Sequence, residues 1–259
     1  MPRPSLPPRP LPGPIIACIL LLALPAWAQG PIPPRPSPWS FEVTPYLWAA
    51  GLHGDLSADD RSATVDPSFS DLVKDLDFGA MLLAELRYER WGLLLDGFYL
   101  KLSQDADTPG PLFSSVDATV QVGVLGPSLG YRAVSTDRFT LDVLGGARIW
   151  WVNTELEFKP GLLPGLEVEQ DTSWVDPVLG VRLGVNFTKA FFLTALGDVG
   201  GFGAGSDLTW QAFAGVGYRF NPRWSVTAGY RALAVEFERG GFELDVIMHG
   251  PVVGLGFRF

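Results

Sequence analysis

The chain has 259 residues, 19 of them basic and 28 acidic, and its formal net charge is −9 at pH 7. Such an acidic chain is a poor partner for nucleic acid, so we expect no nucleic-acid-binding function. The single cysteine, Cys18, lies in an N-terminal segment that we expect to be removed, which leaves no disulfide and no thiolate metal site in the mature protein.

The first 28 residues have the pattern of a secretory signal peptide. Arg3 and Arg9 precede an apolar run over 15–24, and Ala26-Trp27-Ala28 gives the small-x-small pattern of a cleavage site. The apolar run is bounded by prolines and is shorter than the ~20 residues of a spanning helix, so a membrane anchor is the less favoured alternative. We predict a signal peptide over 1–28 and cleavage after Ala28.

The next segment, 29–38, is too rich in proline to join a strand ladder and is predicted to form an extended periplasmic tether. The remaining residues, 39–259, contain no apolar run near 18 residues and little helical periodicity. Spanning helices are thereby excluded, and a single β domain is expected.

Alternation of apolar with small or polar residues predicts about ten strands in that domain. Short turns alternate with longer loops along much of the chain, as in outer-membrane barrels, whose short turns face the periplasm. Because two of the expected outer loops are also short, eight or twelve strands remain possible. The predicted strands are 40–56, 78–89, 91–104, 116–133, 138–158, 171–188, 191–202, 207–220, 224–238 and 242–259.

Aromatic residues bracket each tight turn, and Trp and Tyr concentrate where hydrocarbon meets headgroups. The predicted periplasmic girdle includes Trp39, Tyr88, Trp91, Tyr131, Phe187, Tyr218, Trp224, Phe257 and Phe259. Candidates for the opposite girdle are Tyr99, Trp151, Trp210 and Phe242.

A soluble β-sandwich or lipocalin-like barrel is the competing fold, but the placement of charge opposes it. In the sixth predicted strand, Leu179 and Val181 share one face, whereas Asp176, Gly180 and Arg182 share the other. Small residues beside ionised ones suit a crowded polar lumen better than a solvated exterior. We predict an all-β, transmembrane, antiparallel up-and-down barrel.

The same alternation directs a set of acids and arginines into the lumen. Arginine suits enclosure because its planar guanidinium pairs with carboxylates through two hydrogen bonds. A selective path is one interpretation; the favoured one is a network that fills a barrel far narrower than the roughly 16 to 18 strands of a porin. The predicted lumen charges are Glu85, Arg87, Asp96, Asp117, Asp142, Arg148, Asp176, Arg182, Asp198, Arg219, Arg231, Glu243, Asp245 and Arg258.

The first outer loop contains a segment, 66–78, with the pattern of a two-turn helix. Ser70 is its predicted N-cap, and Asp71 lies near the positive end of the helix dipole. Leu72, Val73 and Leu76 share an apolar side that suits a plug in the barrel mouth. An ordinary surface turn is the alternative.

Two features of the sequence allow an enzymatic interpretation. Gly126-Pro-Ser-Leu-Gly130 matches the G-x-S-x-G elbow, but the elbow needs a strand, a turn and a helix, whereas Ser128 precedes more strand. His53 and His249 lie on strands that meet where the barrel closes, so either, with Asp55 or Asp245, is a candidate general base at the outer rim. A structural histidine in the lumen is the favoured alternative.

Metal binding and cofactor binding are not predicted. Loop acids offer oxygen atoms for a cation, but their spacing does not reproduce a calcium-binding loop. These acids are Asp55, Asp59, Asp60, Asp105 and Asp107.

Three stretches, 45–55, 69–81 and 87–100, resemble a widespread branch of the outer-membrane β-barrel superfamily whose function is uncharacterised. The similarity is close over the N-terminal third and otherwise rests on strand pattern and on Phe259, which resembles the assembly signal of these barrels. The resemblance implies an outer-membrane location and no transferable catalytic residue.

We therefore expect a monomeric barrel in the outer membrane of a Gram-negative bacterium, serving as a structural protein or a narrow passive pore. Its expected partners are outer-membrane lipids, lipopolysaccharide and the barrel-assembly machinery. The alternative is a hydrolase that acts on lipid or peptide at the extracellular rim.

Overall fold

The structure is a computed structural model that describes residues 38–58, 61–66, 68–107, 113–239 and 242–259. The predicted signal peptide over 1–28 lies outside these residues, as does the tether over 29–38 apart from Pro38. Among the described residues, none of the helices is both long and apolar enough to span a membrane.

Twelve strands and one short helix make up the described chain. Their bounds are β1 Trp39–Trp48, β2 Gly51–Ala58, β3 Arg61–Val65, α1 Phe69–Lys74, β4 Leu76–Tyr88, β5 Trp91–Asp107, β6 Phe113–Ser135, β7 Phe139–Pro160, β8 Leu166–Asn186, β9 Phe191–Gly201, β10 Leu208–Arg219, β11 Trp224–Arg239 and β12 Phe242–Arg258.

The strands close into an antiparallel barrel with ten positions in its wall. β1 pairs with both β4 and β12, which closes the ring. β1 and β2 pair with successive parts of β12 in one continuous register and form a single wall strand, while β3 pairs only with β2, outside the ring. The predicted ten-stranded up-and-down barrel is therefore confirmed.

The two ends of the barrel differ in the length of their connections. Residues 89–90, 136–138, 187–190 and 220–223 make tight turns at the end that also carries Pro38 and Phe259. Because short turns face the periplasm in barrels of this kind, we name this the periplasmic end. The β5–β6 and β7–β8 hairpins extend furthest at the other, extracellular end.

The outer face of the wall is apolar over a band next to the periplasmic end. On β8, Val175, Leu179 and Val181 point outward and are 51%, 62% and 47% exposed. Large apolar side chains are stable on an exposed surface when that surface contacts hydrocarbon. About ten residues of tilted strand are enough to cross the hydrocarbon core of a bilayer. This apolar band is therefore the lipid-facing surface.

Aromatic side chains line the periplasmic edge of the apolar band. Trp39 packs on Tyr88 with ring centroids 4.6 Å apart, and Trp91 packs on Tyr131 at 5.0 Å. The structure places every predicted girdle residue at this edge, at a strand end or turn: Trp39, Tyr88, Trp91, Tyr131, Phe187, Tyr218, Trp224, Phe257 and Phe259.

The upper edge of the band is marked by a row across β5, β6 and β7. Tyr99, Gly123 and Trp151 are register neighbours. The Trp151 indole lies over Gly123, where any Cβ would collide with the ring. Glycine thus makes room for an aromatic side chain at the height where aromatics anchor in the bilayer interface.

Above this edge, the two faces of the wall exchange chemical character. On β11, Arg231 points inward and Tyr230 outward, whereas further along the strand Phe237 is buried inside, and Glu236 and Glu238 are exposed outside. The pairing of β11 with β12 runs through this change without a register shift. The strands therefore continue beyond the lipid, and there water replaces hydrocarbon at the outer face.

The predicted loop helix is present as α1, one turn and a half long, but its N-cap is Ser68 and not Ser70. The Asp71 carboxylate accepts hydrogen bonds from the Ser68 backbone N–H at 3.3 Å and from its hydroxyl at 2.6 Å. A third bond, from Lys74 at 2.8 Å, is the main reason that the pKa of Asp71 falls to about 2. The helix begins earlier than predicted because the aspartate selects the serine three residues before it.

Candidate functional site: the barrel interior

The structure brings most of the predicted lumen charges together inside the barrel. Eleven of the predicted residues line its cavity or are buried beside it: Glu85, Arg87, Asp96, Asp142, Arg148, Asp176, Arg182, Asp198, Arg219, Arg231 and Arg258. Glu42 and Arg132, which were not predicted, complete this set. We call these thirteen side chains the ionic layer.

Three predicted lumen residues lie instead on the outer face, and their assignment to the lumen was wrong. Glu243 and Asp245 are exposed on β12, and Asp117 on β6 forms an ion pair with Lys159 at 2.9 Å. All three lie above the apolar band. Outward charge there contacts water, so it carries no cost of burial in lipid.

The centre of the ionic layer is Asp142, which is 1% exposed. Its carboxylate accepts hydrogen bonds from Arg87 at 2.8 Å, Arg132 at 2.8 Å and Arg182 at 2.6 Å. Arg182 also donates to Glu85, at 2.7 Å and 3.0 Å. Two carboxylates and three guanidiniums from β4, β6, β7 and β8 thus link strands across the lumen.

A second cluster lies nearer the middle of the barrel. Arg231 donates to Asp96 at 2.7 Å, to the Tyr46 hydroxyl at 2.9 Å and to Gln211 at 2.8 Å. The Tyr46 hydroxyl in turn donates to Asp96 at 2.9 Å. Arg148 forms a neighbouring pair with Asp198 at 2.7 Å. The fully enclosed Arg231 thus has hydrogen-bond acceptors on three different strands.

Replacement of Tyr46 by phenylalanine is expected to destabilise the folded barrel by about 1–3 kcal/mol, because Arg231 then loses a buried acceptor. The quantity to measure is the free energy of unfolding in urea with the protein in phospholipid vesicles, followed by tryptophan fluorescence. Tyr131→Phe, on the outer face, is the matched control and should change stability by a few tenths of a kcal/mol. Equal losses in the two variants would contradict a role for the Tyr46 hydroxyl.

Above the ionic layer, apolar side chains from opposite walls meet across the lumen. Trp150 stacks on Trp174 with ring centroids 5.5 Å apart, and Trp174 stacks on Phe237 at 4.2 Å. Trp48 packs edge-on against Phe98 at 5.7 Å. We call the complete cluster the apolar layer: Tyr46, Trp48, Phe98, Val124, Trp150, Trp174, Leu233, Val235, Phe237, Val246 and Met248.

The short β9–β10 connection also turns into the interior. Ser206, 0% exposed, donates its backbone N–H to the Asp176 carboxylate at 2.6 Å, and the Trp174 indole N–H donates to the same carboxylate at 3.2 Å. This arrangement fills the side of the barrel where β9 and β10 are shorter than their neighbours. The apolar layer therefore has a polar support below it.

A cavity of about 550 Å³ lies within the ionic layer. Its walls include apolar side chains such as Leu94, Leu144 and Phe213 beside the charged groups. Its deepest lining residues are buried, while those near the turns, such as Arg219 and Arg258, are partly exposed. The cavity thus opens toward the periplasmic end and is covered on the extracellular side by the apolar layer.

The two histidines are diagonal neighbours in the register on the outer face of the wall, and each contacts a different partner. His53 is opposite Ile247 in the register and lies 3.2 Å from Asp66, whereas His249 is opposite Gly51 and contacts the Tyr230 hydroxyl at 2.6 Å. His249 is exposed on the outer face and not in the lumen, which corrects the expected placement. The side chain of Asp55 lies outside the described part of the chain.

The other sequence motifs do not assemble a recognisable centre. Ser128 lies inside β6, so the strand, turn and helix of a nucleophile elbow are missing there. Among the described residues, no group of three or more His, Cys, Asp or Glu side chains is arranged to hold a metal ion. Asp59 and Asp60 lie outside the described residues, and so does the side chain of Asp107.

Sequence comparisons find no match. No family model matches this chain, and no curated protein matches its sequence. The narrower resemblance seen in the N-terminal third therefore stays a prediction.

Several solved structures of bacterial outer-membrane proteins resemble this one. The outer membrane protease OmpT of Escherichia coli matches with a TM-score of 0.52 and 8% identity, over 85% of this chain and 97% of that one. The transport unit of the autotransporter AIDA-I of Escherichia coli matches with a TM-score of 0.40 and 9% identity, over 86% and 89%. The toluene transporter TbuX of Ralstonia pickettii matches at 0.36 and 12%, over 87% and 90%. The match to OmpT, together with the closed antiparallel barrel, shows that the chain has the fold of the bacterial outer-membrane β-barrels.

Proposed function

We propose that the protein is an integral barrel of the Gram-negative outer membrane that serves a structural role and conducts no ions. The observation that carries this proposal is the apolar layer, whose eleven side chains are each at most 9% exposed. A packed apolar constriction resists ion passage because an ion must shed its water there and finds few polar groups in exchange. The ionic layer below it then acts as an internal brace.

Several parts of the proposal concern the setting of the barrel. We also propose that the chain is exported through a signal peptide over 1–28 and that the folded protein is a monomer. An assembly machinery is proposed to recognise the strand that ends in Phe259. Contact with lipopolysaccharide is proposed at the extracellular end. The apolar band supports the membrane setting, since a surface of this kind is stable against hydrocarbon.

Planar bilayer recording tests the structural role directly. Refolded wild-type protein is expected to give no resolved current steps. The variant Trp150→Ser/Trp174→Ser/Phe237→Ser is expected to conduct, because removal of three stacked rings leaves a space lined by hydroxyls that water can fill. The control Trp150→Phe/Trp174→Phe keeps the layer apolar and should stay silent.

Only protein that migrates as a folded, heat-modifiable species in gels is used in these recordings. Discrete ion currents from folded wild-type protein would overturn the structural proposal in favour of a narrow passive pore. A silent triple-serine variant that is folded would show that the apolar layer is not what closes the barrel.

A hydrolase at the extracellular rim is the second proposal, supported by the contact of His53 with Asp66. Both side chains are more than half exposed, so water screens the attraction between them. Hydrolysis of a phospholipid or peptide by folded protein, lost in His53→Ala, would support this second role. The fold similarity to a protease at 8% identity supports neither proposal.

A further inference from the structure

The periplasmic opening of the cavity carries more positive than negative charge. Arg219, Arg223 and Arg258 border a small side pocket of about 70 Å³ together with one acid, Glu42. Glu42, Arg219 and Arg258 also line the larger cavity, so the side pocket and the cavity share a wall. We call this region the periplasmic mouth.

Arg219 and Arg223 both lack a carboxylate partner among the described residues, but Arg223 is exposed in a turn, whereas Arg219 also lines the larger cavity. Its guanidinium donates to the Asn186 side-chain oxygen at 3.0 Å and lies over the Phe192 ring at 4.1 Å. Arg258, which is paired with Glu42, is close enough for its charge to repel that of Arg219. An amide and an aromatic face do not neutralise a guanidinium, and the nearby Glu42 carboxylate is already paired with Arg258, so a net positive charge is left at the opening.

Arg87 also lines the cavity, but its charge is matched inside the barrel by Glu85 and Asp142. Its unpaired Nη1 atom is buried with almost no accessible surface, so a ligand in the cavity does not reach it. Arg219 is therefore the cation that an anion entering from the periplasm meets.

We propose that the periplasmic mouth and the cavity behind it bind a small soluble organic anion, with its carboxylate or phosphate at Arg219 and its apolar body among Leu94, Leu144 and Phe213. The cavity volume lies within the roughly 300–1,000 Å³ of ligand pockets, and its lining is mixed in the way such pockets are. Guanidinium groups suit carboxylates and phosphates because their donors match these anions in pairs. This inference goes beyond the structural role and holds whether or not the barrel conducts.

Benzoate and benzamide are the probes that test the site, since they share one shape and differ in charge. The full-length mature protein in phosphatidylcholine nanodiscs is titrated with each, and binding is followed by calorimetry. Benzoate is expected to bind at least about tenfold more tightly than benzamide, because charge-assisted hydrogen bonds are about twice as strong as neutral ones. Equal binding of the two probes would overturn the proposal.

Arg219→Gln is expected to weaken benzoate binding by about tenfold, and Arg219→Lys should weaken it by a smaller factor, because lysine keeps the charge but loses the paired donors. Arg138→Gln removes the same charge from an exposed turn at the same end and should leave benzoate binding unchanged. If Arg219→Gln and Arg138→Gln weaken benzoate binding equally, the effect comes from the net charge of the protein, and the proposed site would be overturned. If Arg219→Gln does not fold, Arg219→Lys is titrated in its place, and benzoate binding as tight as in the wild-type protein would overturn the site.

Lipid headgroups are the other source of anionic groups near this end. Replacing part of the phosphatidylcholine with phosphatidylglycerol should leave benzoate binding unchanged if the site takes a soluble ligand. Competition by phosphatidylglycerol would assign the mouth to a lipid headgroup and overturn the proposed ligand class.

Discussion

Replacement of Asp142 by asparagine is expected to destabilise the folded barrel by about 3–5 kcal/mol, the usual cost of removing one partner from a buried ion pair. Asp142 accepts hydrogen bonds from three arginines and is 1% exposed, so no water can take its place. Asparagine keeps the shape but leaves Arg87, Arg132 and Arg182 to share the single charge of Glu85. The measurement is the free energy of unfolding in urea with the protein in phospholipid vesicles.

Asp137→Asn provides the control for this experiment, because Asp137 lies exposed in the turn between β6 and β7. Its effect should stay within about 0.5 kcal/mol. A loss of less than 1 kcal/mol in Asp142→Asn would contradict the idea that the ionic layer braces the barrel. A double-mutant cycle with Arg182→Gln should give a large coupling, since the two side chains touch.

The ionic layer also explains why the barrel interior is filled in two different ways. Within the bilayer, the outer face must be apolar, so the inner face receives the polar residues and needs paired charges to fill it. Arginine reaches across the lumen and satisfies several acceptors at once, as Arg231 does with Asp96, Tyr46 and Gln211. From the upper edge of the apolar band onward, the interior fills with apolar packing, as in a soluble protein.

Strand number and most strand bounds could be predicted because the side-chain period of a strand is 2 and the turns are rich in breakers. β9, for example, was expected over 191–202 and is Phe191–Gly201. Glu42 and Arg132 could have been placed in the lumen by the same rule, since Glu42 alternates with Phe41 and Val43, and Arg132 follows Tyr131 of the girdle.

The apolar layer and the outward acids could not be predicted from period alone. The sequence rule places alternate residues on opposite faces, but it does not say at which residue the strand leaves the lipid. Glu243 and Asp245 were therefore assigned to a polar lumen, although at their height the lumen is filled by residues such as Val246 and Met248. To predict this, one must know how far along each strand the membrane ends. That position depends on how far each hairpin extends above the membrane.

Replacement of Val181 by arginine tests whether the apolar band on the outer face contacts lipid. Val181 points outward on β8 near the middle of the apolar band and is 47% exposed. Val181→Arg is expected to cost about 2–4 kcal/mol, as a cation does on the lipid face near the bilayer midplane. The same urea titration in phospholipid vesicles measures it.

Ser173→Arg provides the comparison on the same face of the same strand. Ser173 is exposed, lies opposite Trp151 in the register and marks the level at which outward acids begin with Asp171. Because water or headgroups solvate a cation there, its cost should be about 0–1 kcal/mol. Equal losses of folding free energy at the two positions would mean that the lipid does not end between them. The exchange of polarity between the two faces would then have a cause other than the membrane boundary.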